Sequence, residues 1–344
     1  MRPVEATTPA AASERARSGV LETRPLRVAV VGARRVRQGT GPFLARHARA
    51  CGAEVRGVIG TSLASAEAAR AELAPLGLSP RADTRLEGLL RNEPLDVLIV
   101  ASPAGTHAPW LHAALRAGLH VLCEKPLLAG PGDSDAALRA GAREAAALAE
   151  AFAARSLALS ETCQWTHTLP VFWLLHGSRD LDGVRRFEMV LQPVEPARRG
   201  WLESLPHPLS LLQAVAPGSA RVEDPRHERS GGGEILSFTF AGGTRRIRAS
   251  VEIRPRAETP RRAEYALDGR WLHRRVDPSG QAVTYETGPP VDRSWRTVDP
   301  MKIAVRAFLA RVAALHCGEP ALADAALVQR QELLAALLAA CPVA

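Results

Sequence analysis

Short apolar segments that alternate with helical stretches are the feature of residues 26 to 123 that most constrains the fold. Strand-length runs occupy 26–31 (LRVAVV), 54–59 (EVRGVI), 96–101 (DVLIVA) and 119–123 (LHVLC), and helical patterns occupy 42–51, 62–76 and 109–117. Strands that are apolar along their whole length are typical of a parallel sheet covered on both faces. Because parallel neighbours need crossover helices, this half predicts a doubly wound Rossmann sheet of the α/β class.

The pattern changes after a predicted helix at 134–154. The segments with strand character lie at 156–163, 184–192, 234–241, 246–254, 262–268 and 281–286, and helices are predicted at 301–317 and 321–340. Glycine turns such as 231–233 separate some of these segments, as in antiparallel hairpins. The second half is therefore predicted to be an α+β domain with a mostly antiparallel, open sheet.

A chain of 344 residues is long enough for two domains. We expect a flexible tail over 1–24, a dinucleotide-binding domain over 25–130 and a substrate and oligomerisation domain over 131–344. The last helices, within 301–340, are candidates to pack back on the first domain.

The five cysteines are scattered and never lie at metal-ligand spacing. We interpret them as small buried residues of a protein in a reducing compartment, and we expect no metal. The chain lacks the roughly 18 consecutive apolar residues of a membrane-spanning helix and the apolar run of a signal peptide. These observations favour a cytoplasmic location without membrane attachment.

The net charge of +8 raises the question of nucleic-acid binding. Arginine supplies almost all of the basic residues, and these are spread along the chain among acids. Such a spread is typical of compositional bias rather than of a polyanion-binding surface. We therefore expect a small-molecule substrate and no nucleic acid.

The loop after the first strand is the expected site of a cofactor pyrophosphate, which binds glycine N–H groups and a helix N-terminus. The loop begins at Gly32 and Ala33, but Arg34 occupies the second glycine position, and the next glycines are Gly39 and Gly41. Two interpretations are open. Either Arg34, Arg35 or Arg37 neutralises phosphates in a lengthened loop, or the loop is a turn with solvated arginines that has lost its cofactor.

The turn after the second strand selects between the two nicotinamide cofactors. An acid at this turn would bind the ribose hydroxyls of NAD and reject the 2′-phosphate of NADP. Here the residues are Gly60, Thr61 and Ser62, and no acid follows before Glu67. We therefore predict that NADP(H) is preferred and that NAD(H) remains possible.

Residues 96–127 carry a series of matches to one family. They comprise Ala101, Pro103, His107, Gly118, His120, Val121 and the turn Glu124-Lys125-Pro126, in that order. With this run the chain resembles the Gfo/Idh/MocA-like oxidoreductases, which include glucose-fructose oxidoreductase and inositol dehydrogenase. The resemblance implies a nicotinamide-dependent oxidoreductase acting on sugar-like or other polar molecules, with the open sheet of the second domain forming a homo-oligomer interface.

By this resemblance Lys125 is the lysine beside the nicotinamide and the reacting oxygen. A partly desolvated lysine can hydrogen-bond a substrate oxygen and share its proton. Glu124 would orient Lys125 or the nicotinamide ribose. Ala101, Ser102, Pro103 and His107 would line the cofactor, although His107 has an equally good interpretation as a residue that holds the turn.

The resemblance also makes His207 the candidate proton donor or acceptor. Glu203 stands where the family has a first aspartate, and Ser210 replaces the second one, which would orient the histidine. His207 either acts with Glu203 or water, or it is a packed histidine at the start of a helix, in which case Lys125 supplies the proton alone.

Further residues are candidates for the substrate side: Gln164, Trp165, Trp201 and Glu203. Each tryptophan is equally well explained as part of the core, because its side chain buries a large area. The altered glycine loop and Ser210 leave an alternative function open, that of a catalytically silent cofactor-binding sensor or partner protein with the same fold.

Overall fold

Two sheets organise the computed structural model, which describes residues 24–34, 39–129, 134–177, 181–276, 282–290 and 292–341. The strands of the first sheet are β1 (Arg27–Val31), β2 (Glu54–Ile59), β3 (Arg81–Asp83), β4 (Val97–Val100), β5 (His120–Cys123) and β6 (Leu159–Glu161). All of them run parallel, in the order β3-β2-β1-β4-β5-β6. This is the doubly wound sheet predicted from the apolar runs.

Five helices accompany this sheet: α1 (Gly41–Ala50), α2 (Leu63–Leu73), α3 (Leu86–Leu90), α4 (His107–Ala117) and α5 (Asp135–Ala154). Alternate residues of β1 point to opposite layers. Val28 and Val30 pack with α1, whereas Ala29 and Val31 pack with α4 and α5. Burial on both faces explains why the strand contains no polar position after Arg27.

The predicted strands differ from the structure in number and in one placement. The sequence pattern did not predict β3, nor three strands of the second sheet, β8 (Ala220–Ser230), β12 (Arg270–Val276) and β14 (Ser294–Val298). It also groups the segment 156–163 with the second half, but β6 pairs in parallel with β5 and extends the first sheet. The connection through α5 makes β6 another strand of the crossover pattern, so the first sheet continues to Glu161.

The second sheet contains β7 (Arg186–Leu191), β8 (Ala220–Ser230), β9 (Gly233–Gly242), β10 (Arg245–Ile253), β11 (Ala263–Leu267), β12 (Arg270–Val276), β13 (Ala282–Glu286) and β14 (Ser294–Val298). Their order is β14-β13-β12-β11-β7-β10-β9-β8, and only β7 and β10 pair in parallel. One face packs on α6 (Leu169–His176), α7 (Ala197–Ser204) and α8 (Pro206–Val215). The mostly antiparallel sheet agrees with the prediction.

The two C-terminal helices contact different parts of the molecule. Helix α9 (Pro300–His316) packs beside α1 through Met301, Val305 and Phe308, in the core layer of the first sheet. Helix α10 (Ala325–Ala339) lies mainly on α5 and α8 and contributes to the core of the second sheet. The end of the chain thus joins the two halves.

Two properties of the described residues bear on the sequence expectations. None of the helices in these ranges is long and apolar enough to cross a membrane. All five cysteines are free, but Cys317 is exposed and Cys51 is only half-buried, so the expectation of burial was wrong for these two.

Candidate functional site

Two glycines bring three backbone segments together at the carboxyl end of β1. Gly32 has φ +75°, and a Cβ atom there would lie 2.8 Å from the Ser102 nitrogen after β4. A Cβ atom at Gly41, the first residue of α1, would overlap the Gly32 carbonyl oxygen. The lengthened loop therefore keeps both close approaches of a dinucleotide fold and aims the N-terminus of α1 at the edge where ligands bind.

Arg34 is the loop arginine that lies within the part of the chain that the structure describes. Ala33 is buried, and the Arg34 Nε lies 3.6 Å from the Glu72 carboxylate on α2, with both side chains partly exposed. Arg35 and Arg37 lie outside the described residues. The structure thus gives Arg34 a partner within the protein.

The turn after β2 packs tightly against a helix and exposes two hydroxyl groups. A Cβ atom at Gly60 would lie 2.5 Å from the Ala66 nitrogen, so the turn sits directly against α2. Ser62 caps this helix, because its Oγ accepts a hydrogen bond from the Ser65 N–H at 3.1 Å. A serine that accepts one hydrogen bond can still donate another, and Thr61 is exposed beside it.

His107 joins the turn after β4 to the turn after β5. Its ring is fully buried, with Nε2 2.7 Å from the Ser102 carbonyl oxygen and Nδ1 3.1 Å from the carbonyl oxygens of both Pro126 and Leu127. Ser102 Oγ in turn accepts a hydrogen bond from Thr106. These contacts place His107 as the residue that holds the turns, and they leave Ser102 and the exposed Pro103 at the edge of the sheet.

The turn at Glu124-Lys125-Pro126 follows β5, and its Lys125-Pro126 peptide bond is cis. The Lys125 Nζ donates a hydrogen bond to the Glu203 carbonyl oxygen at the end of α7, at 2.8 Å. Glu124 accepts a hydrogen bond from Thr162 at 2.8 Å. Lys125 therefore lies where the carboxyl edge of the first sheet meets the helices of the second half.

A buried ion pair that sequence reasoning missed supports this turn. Glu161, at the end of β6, accepts hydrogen bonds from the Leu127 N–H at 2.7 Å and from the Arg330 Nε on α10 at 2.6 Å. Arg330 also donates to the Gln213 side chain on α8 at 2.6 Å. Burial lowers the pKa of Arg330, but Cys163 and Glu161 more than offset this effect, so its pKa lies above the ordinary value.

In the sequence, each member of this pair stands out only as a charged residue among mostly apolar neighbours. Glu161 is a buried charged residue at the end of β6, and Arg330 falls on the buried face of α10. No feature of the sequence links these two residues, which are 169 positions apart. Only the packing of α10 against the first sheet brings them together.

His207 lies at the start of α8, beside the Lys125 turn. Its ring is half-buried, and its buried Nδ1 has no hydrogen-bond partner within the described residues. Burial, followed by the positive charges of Lys125 and Arg274, lowers the pKa of His207 well below its usual range. Near neutral pH the imidazole is thus uncharged, as a proton acceptor must be.

Two polar residues near His207, Ser210 and Glu203, form hydrogen bonds that involve backbone carbonyl oxygens and not the His207 ring. Ser210 donates a hydrogen bond to the His207 carbonyl oxygen at 2.8 Å, so it does not orient the ring as a carboxylate would. Glu203 offers its carbonyl oxygen to Lys125, while its carboxylate lies 4.0 Å from Arg199.

The structure separates the candidates for the substrate side. Trp201 is fully buried, and its Nε1 donates to Glu234 at 2.7 Å, so it lies in the core and offers no face to a ligand. Trp165 is also largely buried, but its ring meets the edge of His207 at a centroid distance of 6.2 Å. Gln164 is half-buried beside it.

These features define a class of protein. A Rossmann sheet carries two close-packed glycines and a lysine turn at its carboxyl edge, and helix α8 of the second half brings an uncharged histidine to that edge. The residues fit a nicotinamide dinucleotide, because Gly32 and Gly41 draw the β1 turn, the β4 turn and the N-terminus of α1 together as a dinucleotide fold requires, and no acid opposes a phosphate at the β2 turn.

Comparison with known proteins assigns the N-terminal half to a known type of domain. Residues 26–152 match the model of the Gfo/Idh/MocA oxidoreductases, described as an oxidoreductase family with an NAD-binding Rossmann fold. The match covers the first sheet and its helices, and over this part the chain is similar to that family.

Curated relatives match only part of this chain. D-xylose 1-dehydrogenase (NADP(+)) 2 of Haloferax volcanii is 39% identical over 102 residues, which are 29% of this chain and 31% of that protein. Inositol 2-dehydrogenase of Corynebacterium glutamicum strain R is 38% identical over 117 residues, 34% of this chain and 32% of that protein. The matched segments thus span about a third of these relatives.

Solved structures resemble nearly the whole fold. A mutant 3-ketoreductase from Actinomadura kijaniata, in complex with TDP-benzene and NADP, has a TM-score of 0.65 at 21% identity, covering 91% of this chain and 96% of that one. An inositol dehydrogenase homologue from Azotobacter vinelandii, complexed with NAD+, has a TM-score of 0.64 at 17% identity, covering 92% and 95%. At these identities the likeness establishes the two-part fold alone.

Proposed function

We propose that this protein is an NAD(P)-dependent oxidoreductase that transfers a hydride at a carbonyl or alcohol centre of a sugar-like or other polar small molecule. The observation that carries the proposal is the convergence of Lys125 and an uncharged His207 at the edge of the sheet that holds the two close-packed glycines. The named activities of the relatives, which act on D-xylose and inositol, support the same reaction class.

The chain's own residues would divide the work as follows. Gly32, Gly41 and the N-terminus of α1 would hold the pyrophosphate, and the bound nicotinamide would give or accept the hydride. The Lys125 ammonium would exchange its hydrogen bond with Glu203 for one with the substrate oxygen and stabilise negative charge there. In alcohol oxidation the His207 imidazole would take the hydroxyl proton.

We propose that NADP(H) is preferred over NAD(H). Support comes from the turn after β2, where the Thr61 and Ser62 hydroxyls stand without an acid that would repel a 2′-phosphate. One relative carries NADP(+) in its name, whereas a structural neighbour is complexed with NAD+.

Titration of the full chain with NADPH and NADH, followed by nucleotide fluorescence, tests the proposal. We expect saturable binding of both, with the lower dissociation constant for NADPH. Tighter binding of NADH would overturn the preference, and binding of neither would overturn the function. Cofactor binding without turnover of any polyol or sugar would favour the silent sensor instead.

We also propose a cytoplasmic homo-oligomer that assembles through the open second sheet. Support comes from the edge strand β14, where Trp295 and Val298 are each about half exposed. Large apolar side chains left open at a sheet edge are typical of surfaces that another chain covers.

A further inference from the structure

We propose that Arg274 binds an anionic group of the substrate, a carboxylate or a phosphate, and so makes the enzyme selective for acidic sugar derivatives. This inference rests on the proposed oxidoreductase function and specifies its substrate class. Arg274 belongs to β12, and neither the family motifs nor the sequence pattern singled it out.

The position of Arg274 in the sheet turns its side chain toward the site. Arg274 lies directly opposite Tyr285 in the antiparallel pair of β12 and β13, and opposed residues project from the same face. Tyr285 is fully buried in the core beneath the sheet. Arg275, the next residue, points to the other face, where it pairs with Glu286.

The guanidinium of Arg274 lies among the groups that form the proton-transfer site. Its Cζ is 5.9 Å from the centroid of the Trp165 ring, and the same ring meets His207 edge-on. The charges of both Arg274 and Lys125 act on the His207 imidazole. The substrate oxygen held at Lys125 and His207 would therefore lie within the electrostatic reach of Arg274.

The charge of Arg274 is not matched by an acid. Within the described ranges no carboxylate forms an ion pair with it, although it does influence Asp299. The Asp299 carboxylate is occupied, because it accepts a hydrogen bond from the Met301 N–H at 3.0 Å and lies 3.5 Å from His47. Glu203 and Glu124, the acids of the Lys125 turn, face Arg199 and Thr162.

The buried polar groups near Arg274 are the Tyr285 hydroxyl and the His207 Nδ1. Arg274 itself acts on the Tyr285 hydroxyl by a side-chain hydrogen bond and by its charge, whereas the His207 Nδ1 has no hydrogen-bond partner within the described chain. A guanidinium has five N–H donors, so Arg274 can bind Tyr285 and still offer an N–H edge to an oxyanion. Two cations and one unsatisfied buried nitrogen together form a site for an anionic, oxygen-rich ligand.

The test is isothermal titration of the NADPH-loaded full chain with D-glucose, D-glucuronate and D-glucose 6-phosphate. We expect at least one acidic sugar to bind about 30-fold more tightly than D-glucose, as a charged hydrogen-bonded pair allows. Preference for D-glucuronate would identify a carboxylate, and preference for D-glucose 6-phosphate would identify a phosphate.

Two substitutions make the test specific. Arg274→Gln should remove the difference between acidic and neutral sugars, whereas Arg275→Ala, on the opposite face of the same strand, should retain it. Arg274→Lys, which keeps the charge but loses the bidentate geometry, should fall between them. Thermal unfolding of each variant separates loss of the site from loss of the fold.

Three outcomes would overturn the inference: D-glucose binding as tightly as both acidic sugars, no binding of either acidic sugar up to about 10 mM ligand, or unchanged acid selectivity in Arg274→Gln. Failure of the proposed function would look different. In that case NADPH would not bind, or acidic sugars would bind through Arg274 without any hydride transfer.

Discussion

At the scale of single residues, Lys125 is the side chain on which the proposed chemistry depends most. Its Nζ is held by one carbonyl oxygen, that of Glu203, at the meeting point of the two halves. Because this partner is a neutral carbonyl oxygen and not a carboxylate, exchanging the hydrogen bond for one with a substrate oxygen breaks no ion pair. Lysine also differs from the many arginines of the chain in that it can lose a proton.

Lys125→Ala should lower kcat by about 100-fold to 10,000-fold, because it removes the group that donates to the developing oxyanion. The dissociation constant for NADPH should change by less than about tenfold, or 1.4 kcal/mol. Steady-state kinetics and fluorescence titration measure the two quantities. Equal loss of cofactor binding would show that Lys125 serves the scaffold rather than the reaction.

His207 leads to a prediction about pH. Its pKa is depressed, so the imidazole remains uncharged, and able to accept a proton, well below pH 6.5. In the direction of alcohol oxidation, kcat/KM should not show the fall near pH 6.5 that an ordinary histidine base produces. A pH profile from 5 to 8 checks this, with His207→Gln as the control that lowers the whole profile.

At the scale of elements, the approach of α1 to β1 decides whether the loop can hold a cofactor. Gly41→Ala should raise the dissociation constant for NADPH by at least about tenfold, since its Cβ would overlap the Gly32 carbonyl and push the helix N-terminus away. Gly105→Ala is the matched control, because a Cβ there meets nothing within 4 Å. Unchanged affinity in Gly41→Ala would mean that α1 does not bind the pyrophosphate.

The buried pair of Glu161 and Arg330 ties β6 to α10 and to the turn after β5. Arg330→Met alone should lower the free energy of unfolding by about 3–5 kcal/mol, because it leaves the Glu161 carboxylate buried without a counter-charge. Glu161→Gln combined with Arg330→Met should be less harmful than that single change. Urea unfolding monitored by tryptophan fluorescence gives both values, and additive losses would contradict the pairing.

At the scale of the whole molecule, two histidines connect α9 to the sheet. His120 Nδ1 accepts a hydrogen bond from the Ala158 N–H, and its Nε2 lies 3.3 Å from the Nε2 of His316. Burial, and then the charge of His316, lower the pKa of His120 from 6.5 to about 4. The folded protein therefore holds His120 uncharged at a pH where the unfolded chain binds a proton.

This difference gives a pH dependence of a definite sign. The stability contributed by an uncharged His120 is fully present above pH 6.5 and is lost as pH falls from 6.5 towards 4, by up to about 3 kcal/mol. Denaturant unfolding at pH 7.5 and pH 5 measures it, and His120→Asn should flatten the dependence. Stability that rises on acidification would contradict the assignment.

The residues of the first half allowed most of its fold to be predicted. The runs around β1, β2, β4 and β5 are long, apolar and separated by helices, and only a parallel sheet covered on both faces buries such segments. The short strands β3 and β6 were missed or misassigned, because three residues carry too little periodicity to place a strand in a sheet.

The candidate site divides in the same way. Local sequence, through the family resemblance, pointed to Lys125 and His207, whose roles in proton transfer stay predictions. It could not distinguish Trp165 from Trp201, which have similar sequence settings but different surroundings. Packing alone places one ring against His207 and the other in the core beside Glu234.

The sequence by itself thus determined the class of fold and the strand ends that form its carboxyl edge, because apolar periodicity and strand ends are local properties. Only the tertiary structure decided that Glu161 meets Arg330, that His120 meets His316 and that Arg274 lies against Trp165. Each of these relations joins elements far apart in the chain. Their distances depend on how the two sheets and the last helices pack, which no local pattern encodes.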